Sequence, residues 1–71
     1  MNLIFTNHAK QRMIERGIKI NEIQEAIDFP DYTINKDGKI ESYKNINSKH
    51  LKIIYSKEGK FIKIITVIDK S

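Results

Sequence analysis

The chain reads as an α+β domain in which two N-terminal helices pack on a four-stranded antiparallel sheet, in the order ααββββ. Three observations predict this. Up to Pro30 the apolar residues recur at helical spacing; beyond it the period drops to two; and Asp37-Gly38 and the Gly59 loop cut the second half into hairpins. With 71 residues there is room for one domain, residues 1–71, and for no second core.

The first helix is expected from His8 to Arg16. Thr6 or Asn7 offers a capping oxygen, the segment contains no Gly or Pro, and Gly17 suits the position just past a helix end. Asn21 is expected to cap the second helix. Its apolar stripe is Ile23, Ala26 and Ile27, and Pro30 stops it.

Strands follow at Tyr32 to Asn35 and Ile40 to Tyr43, around the hairpin signal Asp37-Gly38, then at His50 to Ser56 and Phe61 to Ile68, around Lys57 to Lys60. Strict alternation puts Phe61, Ile65 and Val67 on one face of the last strand and Ile62, Ile64 and Ile68 on the other. A strand apolar on both faces is central in its sheet, or has its second face covered. Ala9, Met13, Ile23, Ala26, Ile27, Ile53, Ile64 and Val67 are the expected buried or interfacial residues. One sheet face is expected to stay open.

Composition narrows the function classes. Zero Cys excludes a disulfide framework and a thiolate metal site, and two His leave little for a His-rich one, so no cofactor is expected. The longest apolar run falls far short of the roughly 20 residues of a spanning helix, and Met1 to Thr6 lacks the features of a secretory leader. No membrane partner and a cytoplasmic location are expected.

The net charge of +4 is unevenly spread. Lys10, Arg12, Arg16 and Lys19 against Glu15 give +3 in residues 1–19; residues 20–37 carry −4; eight Lys against Glu41, Glu58 and Asp69 give +5 in residues 38–71. Such a two-sided molecule can meet a polyanion such as RNA with its basic parts, although a Lys-rich surface also serves solubility. So small a core favours association, a homodimer included.

The stretch HAKQRMIERGI concentrates the chemistry. At about 100° per residue His8, Arg12, Arg16 and Glu15 share one stripe, bordered by Ala9 and Met13. Two guanidiniums grip phosphate oxygens and an imidazole exchanges a proton near neutral pH, which makes His8, Arg12 and Arg16 candidates for phosphoryl chemistry. The alternative is structural: Glu15 pairs with Arg12 on the surface and His8 helps cap the helix. On the strands Tyr43, His50 and Tyr55 can stack on bases, Lys10, Lys44 and Lys52 can contact phosphates, and Thr66 can donate a hydroxyl. Tyr55 alternates with Leu51 and Ile53, which equally suits a core position.

HAKQRMIERGI, followed by NEIQEAIDFPD, Gly38, LKIIY and IITV, resembles a bacterial domain-of-unknown-function family numbered 4258, whose pattern reads approximately H-A-x-x-R-M-x-x-R-G-I. His8, Arg12, Met13, Arg16 and Gly17 stand in register with it. The family is in turn similar to RelE-like toxins of the barnase-type RNase superfamily. That resemblance implies a RelE-like ααββββ fold, metal-independent RNA cleavage and an antitoxin-like protein partner. His8, Arg12, Arg16 and Thr66 would then be catalytic. Two functions compete: a toxin-like endoribonuclease or RNA-binding domain, and a non-catalytic module that pairs through its sheet with a partner chain.

Overall fold

A computed structural model describes residues 2–71. The elements run β1 (Asn2–Phe5), α1 (Asn7–Arg16), α2 (Ile20–Asp28), β2 (Tyr32–Lys36), β3 (Lys39–Ile46), β4 (Lys49–Glu58) and β5 (Phe61–Asp69).

Both helices begin and end for local reasons. The Thr6 hydroxyl accepts the Ala9 N–H at 3.1 Å and caps α1, which ends on Gly17 in the left-handed region at φ 63°, with the Ile18 N–H donating to the Met13 carbonyl at 2.9 Å. For α2 the expected Asn21 cap is wrong. The helix starts two residues earlier, after Lys19, because the Glu22 carboxylate reaches back to accept the Lys19 N–H at 2.9 Å. Phe29 closes the helix, and Pro30 keeps it closed.

The sheet is not the four-stranded antiparallel one expected. It has five strands in the order β1-β5-β4-β3-β2, and β1 runs parallel to β5, pairing Leu3 with Ile62 and Phe5 with Ile64. A four-residue strand ahead of the helices has too little pattern to announce itself, and its hydrogen-bond partners lie at the far end of the chain. The doubly apolar character of β5 has a simple cause: it is an interior strand, flanked by β1 and β4.

Tight turns set the remaining pairings. Asp37 and Gly38 both take positive φ (52° and 76°), as do Asn47 and Ser48 (50° and 65°), the two-residue geometry that suits the twist of a hairpin. The β4–β5 ladder contains an irregularity between Ile54 and Tyr55 that leaves Ile65 unpaired. This bulge inverts the alternation. Ile62, Ile64 and Val67 share the buried face, rather than the two sets that strict alternation gave.

The helices cover one sheet face, α1 over β5 and β1, α2 over β3 and β4. Between them lies the core: Ala9, Ile18, Ile23, Ala26, Leu51, Ile53, Tyr55, Ile62, Ile64 and Val67, with Leu3, Phe5, Met13 and Ile27 packed against it. The buried Ser42 hydroxyl donates to the Ala26 carbonyl at 2.5 Å, tying α2 to β3. No helix among the described residues is long and apolar enough to cross a membrane.

Candidate functional site

The open sheet face collects what the sequence scatters. Pairing across the Asp37-Gly38 turn sets Tyr32 opposite Tyr43; pairing across Asn47-Ser48 sets Tyr43 opposite Lys52 and Asn45 opposite His50. Side chains at directly opposed positions share a face. The Tyr32 and Tyr43 rings stack at 4.4 Å between centroids and 11° between planes. Lys52 Nζ and Lys70 Nζ stand 5.7 and 5.8 Å from the Tyr43 centroid, within cation–π range. Tyr43 is thus held between Tyr32 and two ammonium groups. Its hydroxyl donates to Glu41 Oε1 at 3.0 Å, and Glu41 also meets Lys52 at 3.8 Å. Tyr32, on the edge strand, is 56% exposed and has an outer ring face to offer.

His50 borders the same hollow of about 240 Å³, whose wall includes Tyr32, Tyr43, Asn45 and Lys70. Its Nδ1 lies 2.6 Å from Asn45 Oδ1; in the tautomer that donates from Nδ1 to this oxygen, Nε2 is left to accept from a ligand. Two backbone bonds hold the rim: the His50 N–H donates to Asp69 Oδ1 at 3.1 Å, and the Lys70 N–H donates to the His50 carbonyl at 2.8 Å. Hydrogen bonds from the Ser71 hydroxyl and N–H hold the Asp69 carboxyl below the usual range, against a smaller opposing effect of burial, and the His50 N–H and Lys49 add to the lowering. Asp69 therefore anchors the rim as a carboxylate.

Glu22 steadies this rim from behind. It is 2% exposed, and its carboxylate accepts from Asn47 Nδ2 at 3.0 Å and from Lys49 Nζ at 3.0 and 3.3 Å. One buried anion thereby connects the start of α2 to the turn that delivers Asn45 and His50 as neighbours.

The expected RNA-contacting residues separate. Tyr43, His50 and Lys52 come together on the open face. Lys44 stands opposite the buried Leu51, on the helix-facing side at the end of the sheet, paired with Asp31 at 3.6 Å. Tyr55 does not belong on the open face either: it is 5% exposed on the helix-facing side, opposite Ile40 and Ile64, and burial, with the nearby Asp28 charge, pushes its phenol up. Lys10 lies on α1, beside an apolar groove.

The catalytic grouping does not assemble. His8 and Arg12 border a shallow depression of about 290 Å³ with Gln11 and Glu15, and no strand residue lines it. His8 and Arg16 are exposed and Arg12 is half-buried. Glu15 accepts from Gln11 Nε2 at 3.2 Å, and no Arg forms an ion pair among the described residues, so the Glu15–Arg12 pair of the structural alternative is absent too. Thr66 pairs with Ile54 on the open face, with the sheet between it and α1. The stripe can touch a phosphate, but nothing on the strands completes it. Among the described residues no three His, Asp or Glu side chains converge as metal ligands.

Sequence reasoning missed Tyr32, Asn45 and Lys70. For Tyr32 the signal was present: a two-residue turn at Asp37-Gly38 makes paired positions symmetric about it, which sets Tyr32 against Tyr43. Asn47-Ser48 sets Asn45 against His50 without the glycine that marks such a turn. Lys70 carried no such signal, because the bulge shifts the register before it.

A family model described as a domain of unknown function (DUF4258) matches residues 5–69. No curated protein and no solved structure matches the chain.

Proposed function

The chain belongs to the DUF4258 family, and we propose that it binds single-stranded RNA on the open sheet face. The Tyr32–Tyr43 stack flanked by Lys52 and Lys70 carries this reading. A base stacks on the outer face of Tyr32, phosphates meet the two ammonium groups, and His50 Nε2 accepts from a ribose 2′-hydroxyl. A stacked base is worth about 1–3 kcal/mol, while two neutralised phosphates give a salt slope of roughly −1.4 in log affinity against log salt. This is the RNA-binding form of the toxin-like reading. Any cleavage would fall to His50, the imidazole on that face, rather than to His8.

Titrating a labelled single-stranded RNA by fluorescence anisotropy at two salt concentrations tests it. Tyr32→Ala should weaken binding about tenfold or more, because a stacking surface is lost. Salt-independent affinity, or a Tyr32→Ala protein that binds as wild type, refutes the reading. If cleavage accompanies binding, it should persist in excess chelator and disappear in His50→Ala while remaining in His8→Ala.

A further inference from the structure

On the helix layer, away from the RNA-binding face proposed above, an open groove of about 560 Å³ runs along the corner where α1 gives way to α2. Met13 and Ile18 form its floor, and Ile14 and Ile20 stand at its mouth, 83% and 56% exposed. Isoleucines so exposed on both sides of one apolar groove mark a surface built for an apolar partner. Gly17 adds no side chain there, and a Cβ placed on it would meet nothing within 4 Å. The charged residues lining the groove are Lys10 and Lys19, and no carboxylate joins them.

We propose that this groove docks an acidic amphipathic helix of a partner protein. The partner's apolar side chains, at i, i+3 or i+4 and i+7, seat between Ile14 and Ile20 over Met13 and Ile18. Carboxylates flanking that stripe meet Lys10 and Lys19, in a segment whose own net charge is +3 over residues 1–19. A second copy of the chain has no free acidic helix to supply. Its acidic helix is α2, whose apolar stripe is already spent on its own core, with Ile23 and Ala26 fully buried and Ile27 packed against them. Nor does RNA suit a groove with an apolar floor. The docked helix and the proposed RNA occupy opposite layers, so each should bind in the presence of the other.

The test is a selection of helix-forming peptides from a displayed random library against the full chain, followed by titration of a synthetic peptide of the recovered consensus. The expected consensus carries an apolar stripe at helical spacing with Asp or Glu beside it. Ile14→Asp and Ile20→Asp should each weaken that peptide about tenfold or more, the effect of losing a central apolar anchor. Both positions are exposed, and circular dichroism verifies that the variants fold. Lys10→Gln combined with Lys19→Gln should weaken the acidic peptide and reduce the dependence of its affinity on salt. Tyr32→Ala should leave peptide binding unchanged, which keeps this result separate from that of the RNA titration. A basic or uncharged consensus, no enrichment at all, or an affinity indifferent to Ile14→Asp overturns the proposal. So does a concentration-dependent dimer in sedimentation that Ile14→Asp abolishes, since it would assign the groove to a second copy.

Discussion

Replacing Glu22 by Gln should cost about 2 kcal/mol at pH 7 and a little under half of that at pH 3. Burial alone would raise the Glu22 carboxyl. Hydrogen bonds from Asn47, the Lys19 N–H and Lys49, together with the Lys49 charge, outweigh it and bring the pKa from 4.5 to about 2. At about 1.4 kcal/mol per unit, the full shift corresponds to roughly 3.5 kcal/mol of stability. The Lys49 side chain is 21% exposed, so solvent screens part of the interaction and about 2 kcal/mol is a fair magnitude. A carboxyl lowered in the folded state contributes fully above its unfolded pKa and loses that contribution as pH falls through the folded one. For Glu22 this window runs from 4.5 down to about 2. Urea denaturation of both proteins followed by circular dichroism at pH 7 and pH 3 measures the difference. Asp69 and the other carboxyls titrate in both proteins and cancel. In a domain of this size the pH 7 loss should lower Tm by roughly 8–16 °C. A difference below about 0.5 kcal/mol at pH 7, or one that stays constant down to pH 3, would refute the idea that the Glu22 charge secures the turn carrying Asn45 and His50.

Thr6→Ala removes the α1 cap and the 2.7 Å bond from the Thr6 hydroxyl to the Ile65 carbonyl; the expected loss is about 1–2 kcal/mol in urea denaturation, and an unchanged midpoint would contradict it. Gly38→Ala places a side chain at φ 76° and should destabilise by about 1 kcal/mol, although a Cβ there meets nothing within 4 Å; a gain in thermal stability would show that the turn relaxes. Lys70→Gln should reduce the salt slope of RNA binding by about 0.7, one phosphate's share for a single strand, and an unaltered slope would remove Lys70 from the interface.

The features legible in the sequence were those encoded within a few residues of each other. Gly17, Pro30 and Asp37-Gly38 act through their own backbone preferences, so the two helices and the β2–β3 hairpin fall where local chemistry puts them. The apolar period named the core equally well, because Ala9, Ile23, Ala26, Ile53, Ile64 and Val67 are all buried. Tyr43, His50 and Lys52 were legible as residue types suited to RNA, but their company only in part. Asp37-Gly38 implies Tyr32 opposite Tyr43, whereas Asn47-Ser48 lacks the glycine that marks a two-residue turn, which hides Asn45 opposite His50.

What the sequence by itself determined is therefore the α+β class, the two helices, the β2–β3 and β4–β5 hairpins and most of the buried residues. Tertiary structure alone decided β1, the bulge at Ile65 and the two faces of the sheet. Leu3 and Phe5 become strand residues only because β5 offers its free edge to them, and Thr6 reaches an acceptor on Ile65, 59 positions along the chain. No local preference specifies such a partner; burial of Leu3 and Phe5 against the common core does. The same holds for function. Tyr55 and Tyr43 are alike as residue types on neighbouring strands, and the side of the sheet covered by helices sends one into the core and leaves the other beside Tyr32, Lys52 and Lys70.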